Sequence, residues 1–155
     1  MRDYEKKDAM TKEISAMLCA KEYEVAEAVG RLKNEQTRMK SQIAELQQKL
    51  LKFCVAEIPV DEKIVTVFDG SLSGNLPREM MNQLLDKGAV ICAVFTGTDE
   101  DGYRYVIGSR SEDVRSISKT LNSTLEGRGG GKPEMVQGSV KGTEDAVKEI
   151  IARYQ

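Results

Sequence analysis

The chain contains no histidine and no tryptophan, and its aromatic residues are limited to three phenylalanines and five tyrosines. Without histidine it cannot build a Ser-His-Asp or Cys-His nucleophilic centre, nor a histidine zinc site, which removes most hydrolytic machinery. Its cysteines, Cys19, Cys54 and Cys92, are odd in number and lack CxxC spacing. They predict neither a disulfide framework nor a metal knuckle, but small hydrophobes kept reduced in the cytoplasm. No apolar run approaches the ~18 residues of a membrane span. The N-terminal MRDYEKKDAM is charged throughout, unlike a secretory signal. A net charge of -2 argues against a nonspecific nucleic-acid binder, which is usually basic overall. No cofactor or metal site is expected. At 155 residues the chain suits one domain, or a small domain with an extension.

What is present falls into two halves of different period. From Val25 the apolar residues recur at alternating steps of four and three. They form a heptad seam with Val29, Ile43 and Leu50 at a, and Leu32, Met39, Leu46 and Phe53 at d. Gln36 is the polar exception at an a position. The pattern predicts one long helix of roughly 30 residues, closing near Pro59 because proline disfavours helix in the residue before it. Tyr4, Met10, Ile14, Met17 and Leu18 predict a shorter helix ahead of it, ending around Cys19. That helix is too short to cover the seam. The seam's partner is then the first helix, a second chain, or both, and a homodimer through the coiled coil is the expectation.

Beyond Pro59 the period shortens. Lys63–Phe68 reads as a buried strand, and Leu76–Leu85 as a helix started by Asn75 and Pro77 and stopped by Gly88. Ala89–Thr96 and Tyr103–Gly108 read as a hairpin turned at Asp101-Gly102. Tyr103 and Tyr105 should share one face for packing, with Arg104 on the other. Ser109 and Glu112 have capping-box spacing before a helix carrying Val114, Ile117, Leu121 and Leu125. A short strand at Met135–Val140 and a last helix capped by Thr143 complete the reading. The predicted fold is α/β (α+β): a helical hairpin and coiled-coil stalk over 1–58, then a small mixed sheet with packed helices over 59–155.

Between the last two elements lies EGRGGGKPEMVQGS, residues 126–139. It is a near-miss to a phosphate-binding P-loop. The required first glycine is Glu126, and the magnesium-binding hydroxyl position is Pro133. Read as a loop, it leaves a helix and enters a strand, so an anion there would meet the negative end of that helix. Two readings stand. The glycines serve a helix cap and a close crossing, or loop amides with Arg128 and Lys132 hold a ligand. Gln137 reads as buried in the strand that follows.

The run Arg128-Gly129-Gly130-Gly131-Lys132-Pro133-Glu134-Met135-Val136-Gln137-Gly138-Ser139 resembles the glycine signature of the DHH-associated domain. That domain closes the C-terminal region of many alanyl-tRNA synthetases and long-form alanyl-tRNA editing proteins. Asp3-Tyr4-Glu5-Lys6-Lys7, Ile14–Leu18 and the heptad helix resemble the linker that leads into it. Gln-Gly-Ser after a Gly-Arg is closer to the free-standing editing group. The resemblance implies a noncatalytic tRNA-binding and dimerisation module, with tRNA for alanine as partner. The zinc-dependent editing domain has no counterpart here, which implies a C-terminal fragment or a protein retaining only this module.

The implied nucleic-acid contacts are Gly127, Arg128, Gly129, Gly130, Gly131, Lys132, Pro133, Gln137 and Gly138, with Arg104, Arg110 and Lys119 at the periphery. Residues 102–142 carry seven cations against four carboxylates, which suits phosphate contacts or a solvated mixed surface. Two alternatives belong to other classes. One is the substrate-binding half of a DHH-type phosphoesterase, whose similar motif usually has histidine where Lys132 stands. The other is a purely structural oligomerisation domain.

Overall fold

The computed structural model describes residues 2–155, which form two units, one ending at Lys49 and the other spanning Leu50–Gln155. The first unit opens with α1, Arg2–Met17. Cys19 stops it in a left-handed conformation (φ 49°), with the Cys19 N–H on Ala16 O and the Ala20 N–H on Ser15 O. That paired 5→2 and 6→1 closure satisfies carbonyls the helix would leave bare. A 3-10 turn at Glu22–Glu24 leads into α2, Val25–Glu57, a single helix of 33 residues. The seam lies along it uncovered: Val29, Leu32, Met39, Ile43 and Leu46 are 47–64% exposed, so α1 does not bury it.

The second unit is a five-stranded mixed sheet between helical layers. Its strands are β1 Ile64–Phe68, β2 Ile91–Thr98, β3 Gly102–Ser109, β4 Arg128–Lys132 and β5 Met135–Val140, in the order β1-β2-β3-β5-β4. β1 and β2 pair in parallel, which requires a crossover, and α3 (Leu76–Lys87) supplies it. All other pairs are antiparallel. α3 ends at Gly88 (φ 123°), whose N–H reaches back to Leu84 and Leu85 carbonyls.

Alternation along the strands divides two cores. On one face Met80, Met81, Leu84 and Leu85 of α3, with Leu51 and Val55 of α2, pack on Val65, Cys92 and Val94. On the other face α4 (Arg115–Thr124) and α5 (Glu144–Ala152) bring Ile117, Leu121, Val147, Ile150 and Ile151 onto Ile64, Phe95, Tyr105 and Ile107. Each such fully buried aliphatic side chain contributes about 1.5–3 kcal/mol. Burial pushes the Cys92 thiol up to about 12, which makes it a packing group. Lys87 Nζ donates to the carbonyls of Val55, Ala56 and Ile58, neutralising the negative end of α2.

Three expectations are corrected. The glycine stretch is no loop: Arg128–Lys132 is an edge strand that turns at Pro133-Glu134 and pairs with β5. The glycines are there because α4 and Tyr105 lie close beneath it. A Cβ at Gly129 would stand 2.5 Å from Tyr105 Oη, and one at Gly138 would stand 2.6 Å from it. Ser109 does not cap α4. It is the last residue of β3, and its Oγ accepts the Ser111 and Glu112 N–H groups in the turn that follows, while α4 begins at Arg115. Gln137 is exposed, because Val136 and Val140 take the core phase of β5.

Tyr105, 1% exposed, carries its hydroxyl into the space those glycines vacate. The hydroxyl bonds Ser118 Oγ at 2.7 Å and donates to Asn122 Oδ1 at 3.0 Å, and Asn122 Nδ2 continues to Gly129 O at 3.3 Å. At the N-terminal end of β3, Asp99 Oδ1 accepts from Tyr103 Oη (2.7 Å) and from the Glu144 N–H at the start of α5 (2.8 Å). Thr143 Oγ1 caps the same helix through the Ala146 N–H.

Tyr105→Phe should lower stability by about 1–3 kcal/mol in urea unfolding, since it strips the partner from Ser118 and Asn122. Gly129→Ala should cost about 1–3 kcal/mol by overpacking. The bonds from Tyr103 and the Glu144 N–H hold the Asp99 carboxyl below its usual 3.8. Its contribution is therefore present above that value and lost as pH falls through the folded value. The bond to Asp99 raises Tyr103 to about 12 from 10, so that contribution is present below 10 and lost as pH rises towards 12. Unfolding midpoints should fall at both extremes, and Asp99→Asn should flatten both arms of the profile.

Candidate nucleic-acid interface

α3 lies on β2 and β3. The β5–β4 half of the same face is left open, because the residues that alternate onto it, Met135 at its end excepted, are polar, cationic or without a side chain. Strand register places Thr96, Arg104, Ser139 and Arg128 in one row across the sheet. The next row holds Val94, Val106, Gln137 and Gly130, and the one after it Cys92, Gly108, Met135 and Lys132. Arg104 and the two cations of the glycine strand therefore face the same way, although 24 positions separate Arg104 from Arg128.

Two adjoining cavities follow this open face along α3. One, of about 610 Å³, runs from Ser73, Asn75 and Arg78 at the start of α3 to Thr96, Arg104, Gln137 and Ser139. The other, of about 440 Å³, is lined by Arg78, Asn82, Arg110, Gly130, Lys132 and Gln137. Arg78 and Gln137 line both, so the two are halves of one groove. The N-terminal turn of α3 borders the first half, but the Leu76 N–H goes to Ser73 O, Pro77 has none and the Glu79 N–H goes to Asn75 O, so the turn favours an anion chiefly through its dipole. Asn75 is occupied with Glu79, to which its Nδ2 donates at 3.1 Å. Arg110 is committed in part to Asp86 (3.1 Å).

The residues expected from sequence divide accordingly. Gly130, Lys132 and Gln137 line the groove, and Arg104 and Arg110 join them, whereas Arg128 shares the sheet face but borders a separate hollow with Tyr103, Glu126 and Lys141. Gly129 and Gly138 turn towards Tyr105, and Gly127 towards Asn122 and Val140. Gly131 has the same strand phase as Gly129, is crowded by Met135 backbone and borders the groove's second half. Pro133 sits at the hairpin tip, where its carbonyl accepts the Val114 N–H at 2.9 Å. Lys119 lies on α4, so the sheet separates it from the groove. Arg78, Ser73 and Thr96 are additions from the structure. No local spacing marks them, since the parallel crossover alone brings the start of α3 beside β3 and β5.

Chemically, the groove offers the exposed cations Arg78, Arg104 and Lys132, with Arg128 beside it on the same sheet face, neutral donors from Ser73, Ser139 and Gln137, and bare backbone at Gly130, where a Cβ would meet nothing within 4 Å. This combination suits a polyanion of extended shape. Among the described residues no group of three or more His, Cys, Asp or Glu is placed to hold a metal ion. No described helix is long and apolar enough to cross a membrane.

Residues 61–155 match the DHHA1 domain family. Over 156 aligned residues the chain is 25% identical to the alanine–tRNA ligase of Psychrobacter sp. strain PRwf-1, covering 93% of this chain and 17% of the ligase. It is 34% identical over 73 residues to the alanine–tRNA ligase of Acholeplasma laidlawii, covering 44% of this chain and 9% of that ligase. The chain thus spans less than a fifth of the length of these curated relatives. RecJ from Thermus thermophilus, solved in complex with Mg2+, superposes with a TM-score of 0.58 at 15% identity, over 91% of this chain and 21% of RecJ. At that identity the likeness is one of fold.

Because the groove cations and Arg128 reach into solvent and hold up no core, single changes at Arg78, Arg104, Arg128 or Lys132 to Glu should shift folding stability by no more than about 0.5 kcal/mol. Thermal melts of the four variants check this, and they qualify the same variants for binding work.

Proposed function

The chain belongs to the DHHA1 domain family, and from that premise we propose that it is a noncatalytic accessory module that holds tRNA, with tRNA for alanine as its natural partner. Residues 59–155 form the module, and residues 1–58 a stalk that pairs two copies through Val29, Leu32, Gln36, Met39, Ile43, Leu46, Leu50 and Phe53. The observation that carries the reading is the open half-sheet: Arg104 on β3 and Lys132 on β4 line one groove with Arg78 of α3, and Arg128 lies on the same sheet face beside it. The cations would meet successive phosphates of a folded RNA, and Gly130 would let the backbone approach the chain of phosphates closely. The ligase relatives supply the choice of tRNA, and they favour a ligase parent over the free-standing editing protein suggested by Gln-Gly-Ser.

The fold shared with RecJ supports a second reading, in which the same groove holds the nucleic-acid substrate of a DHH-type phosphoesterase. Lys132 in the usual histidine position speaks against it.

Titration with tRNA for alanine and with an unrelated tRNA, each at two salt concentrations, tests the proposal. Binding should weaken steeply with salt. Arg128→Glu with Lys132→Glu should lower affinity by about tenfold or more and reduce the salt slope by about 2. Lys119→Glu should leave both nearly unchanged. Binding that ignores the double reversal, or no binding to either tRNA, contradicts the assignment. Metal-dependent cleavage of a short oligonucleotide would transfer support to the second reading.

A further inference from the structure

The stripe on α2 is a helix face of exposed apolar residues with charged and amide residues on its flanks. We infer that it pairs with the same stripe of a second copy as a parallel, in-register, two-stranded coiled coil whose register is set by a Gln36–Gln36 layer. The inference rests on the dimer reading above and adds to it an orientation and a register.

Three features of the helix lead to that arrangement. Two of the four a positions carry the β-branched Val29 and Ile43 and two of the four d positions carry Leu32 and Leu46, beside Leu50, Met39 and Phe53, a bias that among parallel assemblies favours two strands. In register, Gln36 stands opposite Gln36 of the second copy, so each buried amide has both a donor and an acceptor to meet. Parallel pairing also brings each g residue to the e residue five positions on in the other copy. Glu35 then meets Lys40 twice, and the remaining pairs, Ala28 with Lys33, Gln42 with Gln47 and Lys49 with Cys54, contain no like charges.

The antiparallel alternative that uses the whole stripe fares worse. It sets Val29 against Phe53 and Met39 against Ile43, and it puts Gln36 against Leu46 in two places, leaving both amides without a partner. It gains Glu35 with Lys49 but brings Lys40 onto Lys40 at its centre. Charge complementarity and amide satisfaction thus favour the same orientation.

Cysteine cross-linking of the full chain reads orientation directly. In a Cys19→Ser, Cys54→Ser background, Gln36→Cys places two thiols at one a layer of the parallel dimer, within bridging range. Gln42→Cys places them together only in the antiparallel one. Sedimentation of the parent chain at several concentrations accompanies the test, with circular dichroism to confirm that each variant retains its helix.

The expected result is a species of twice the chain mass, with Gln36→Cys oxidising to a covalent dimer about tenfold faster than Gln42→Cys. Faster bridging at Gln42→Cys, or equal rates at the two positions, overturns the register while leaving dimerisation intact. A species of single chain mass at every concentration overturns both the register and the dimer reading.

Discussion

The contact between Tyr105 and the glycine strand fixes most of what the second unit can be. The ring is held in the core against Phe95, and its hydroxyl must find partners there, because a buried phenol without them is costly. Ser118 and Asn122 on α4 provide those partners, which fixes how closely α4 lies against the sheet. At that distance no side chain fits at Gly129 or Gly138. The strand that results has weak intrinsic propensity. It holds through its pairing with β5, the Asn122 bond to Gly129 and the anchored hairpin tip.

The groove follows from the same packing. Inward glycines on β4 leave its outward positions, Arg128, Gly130 and Lys132, as the ones that define its chemistry. β5 alternates in phase with them, Val136 and Val140 inward, Gln137 and Ser139 outward. α3 stays on the apolar half of that face, where Val65, Cys92 and Val94 receive it, and so forms the wall of the groove. Closeness on one face of the sheet and openness on the other thus arise from a single run of residues, and the two opposing roles open to the glycines are divided between its two faces.

Much of this is legible in the sequence wherever the signal is local. The heptads mark α2, the apolar runs mark β1 and β2, Asp101-Gly102 marks the hairpin, and Gly88 and Thr143 mark helix ends. Local reading fails where a distant partner decides. A run of glycine has no strand propensity, so β4 becomes visible only through its register with β5. Ser109 and Glu112 have the spacing of a capping box, but the sheet claims Ser109 first, and the helix starts after Asp113 takes the Arg115 N–H. Gln137 escapes correct placement because the phase of a strand depends on which neighbours the core selects. Arg78 lies outside any local pattern, since only the β1-α3-β2 crossover brings it to the groove.

In the proposed function the open half-sheet, and not the α4–α5 face, receives nucleic acid. The most direct test is an amide chemical-shift map of the chain titrated with tRNA for alanine. The largest perturbations are expected at Arg78, Arg104, Gly130, Lys132, Gln137 and Ser139, with α4 around Lys119 quiet. Perturbations concentrated on α4 and α5, with the groove residues unmoved, would contradict it.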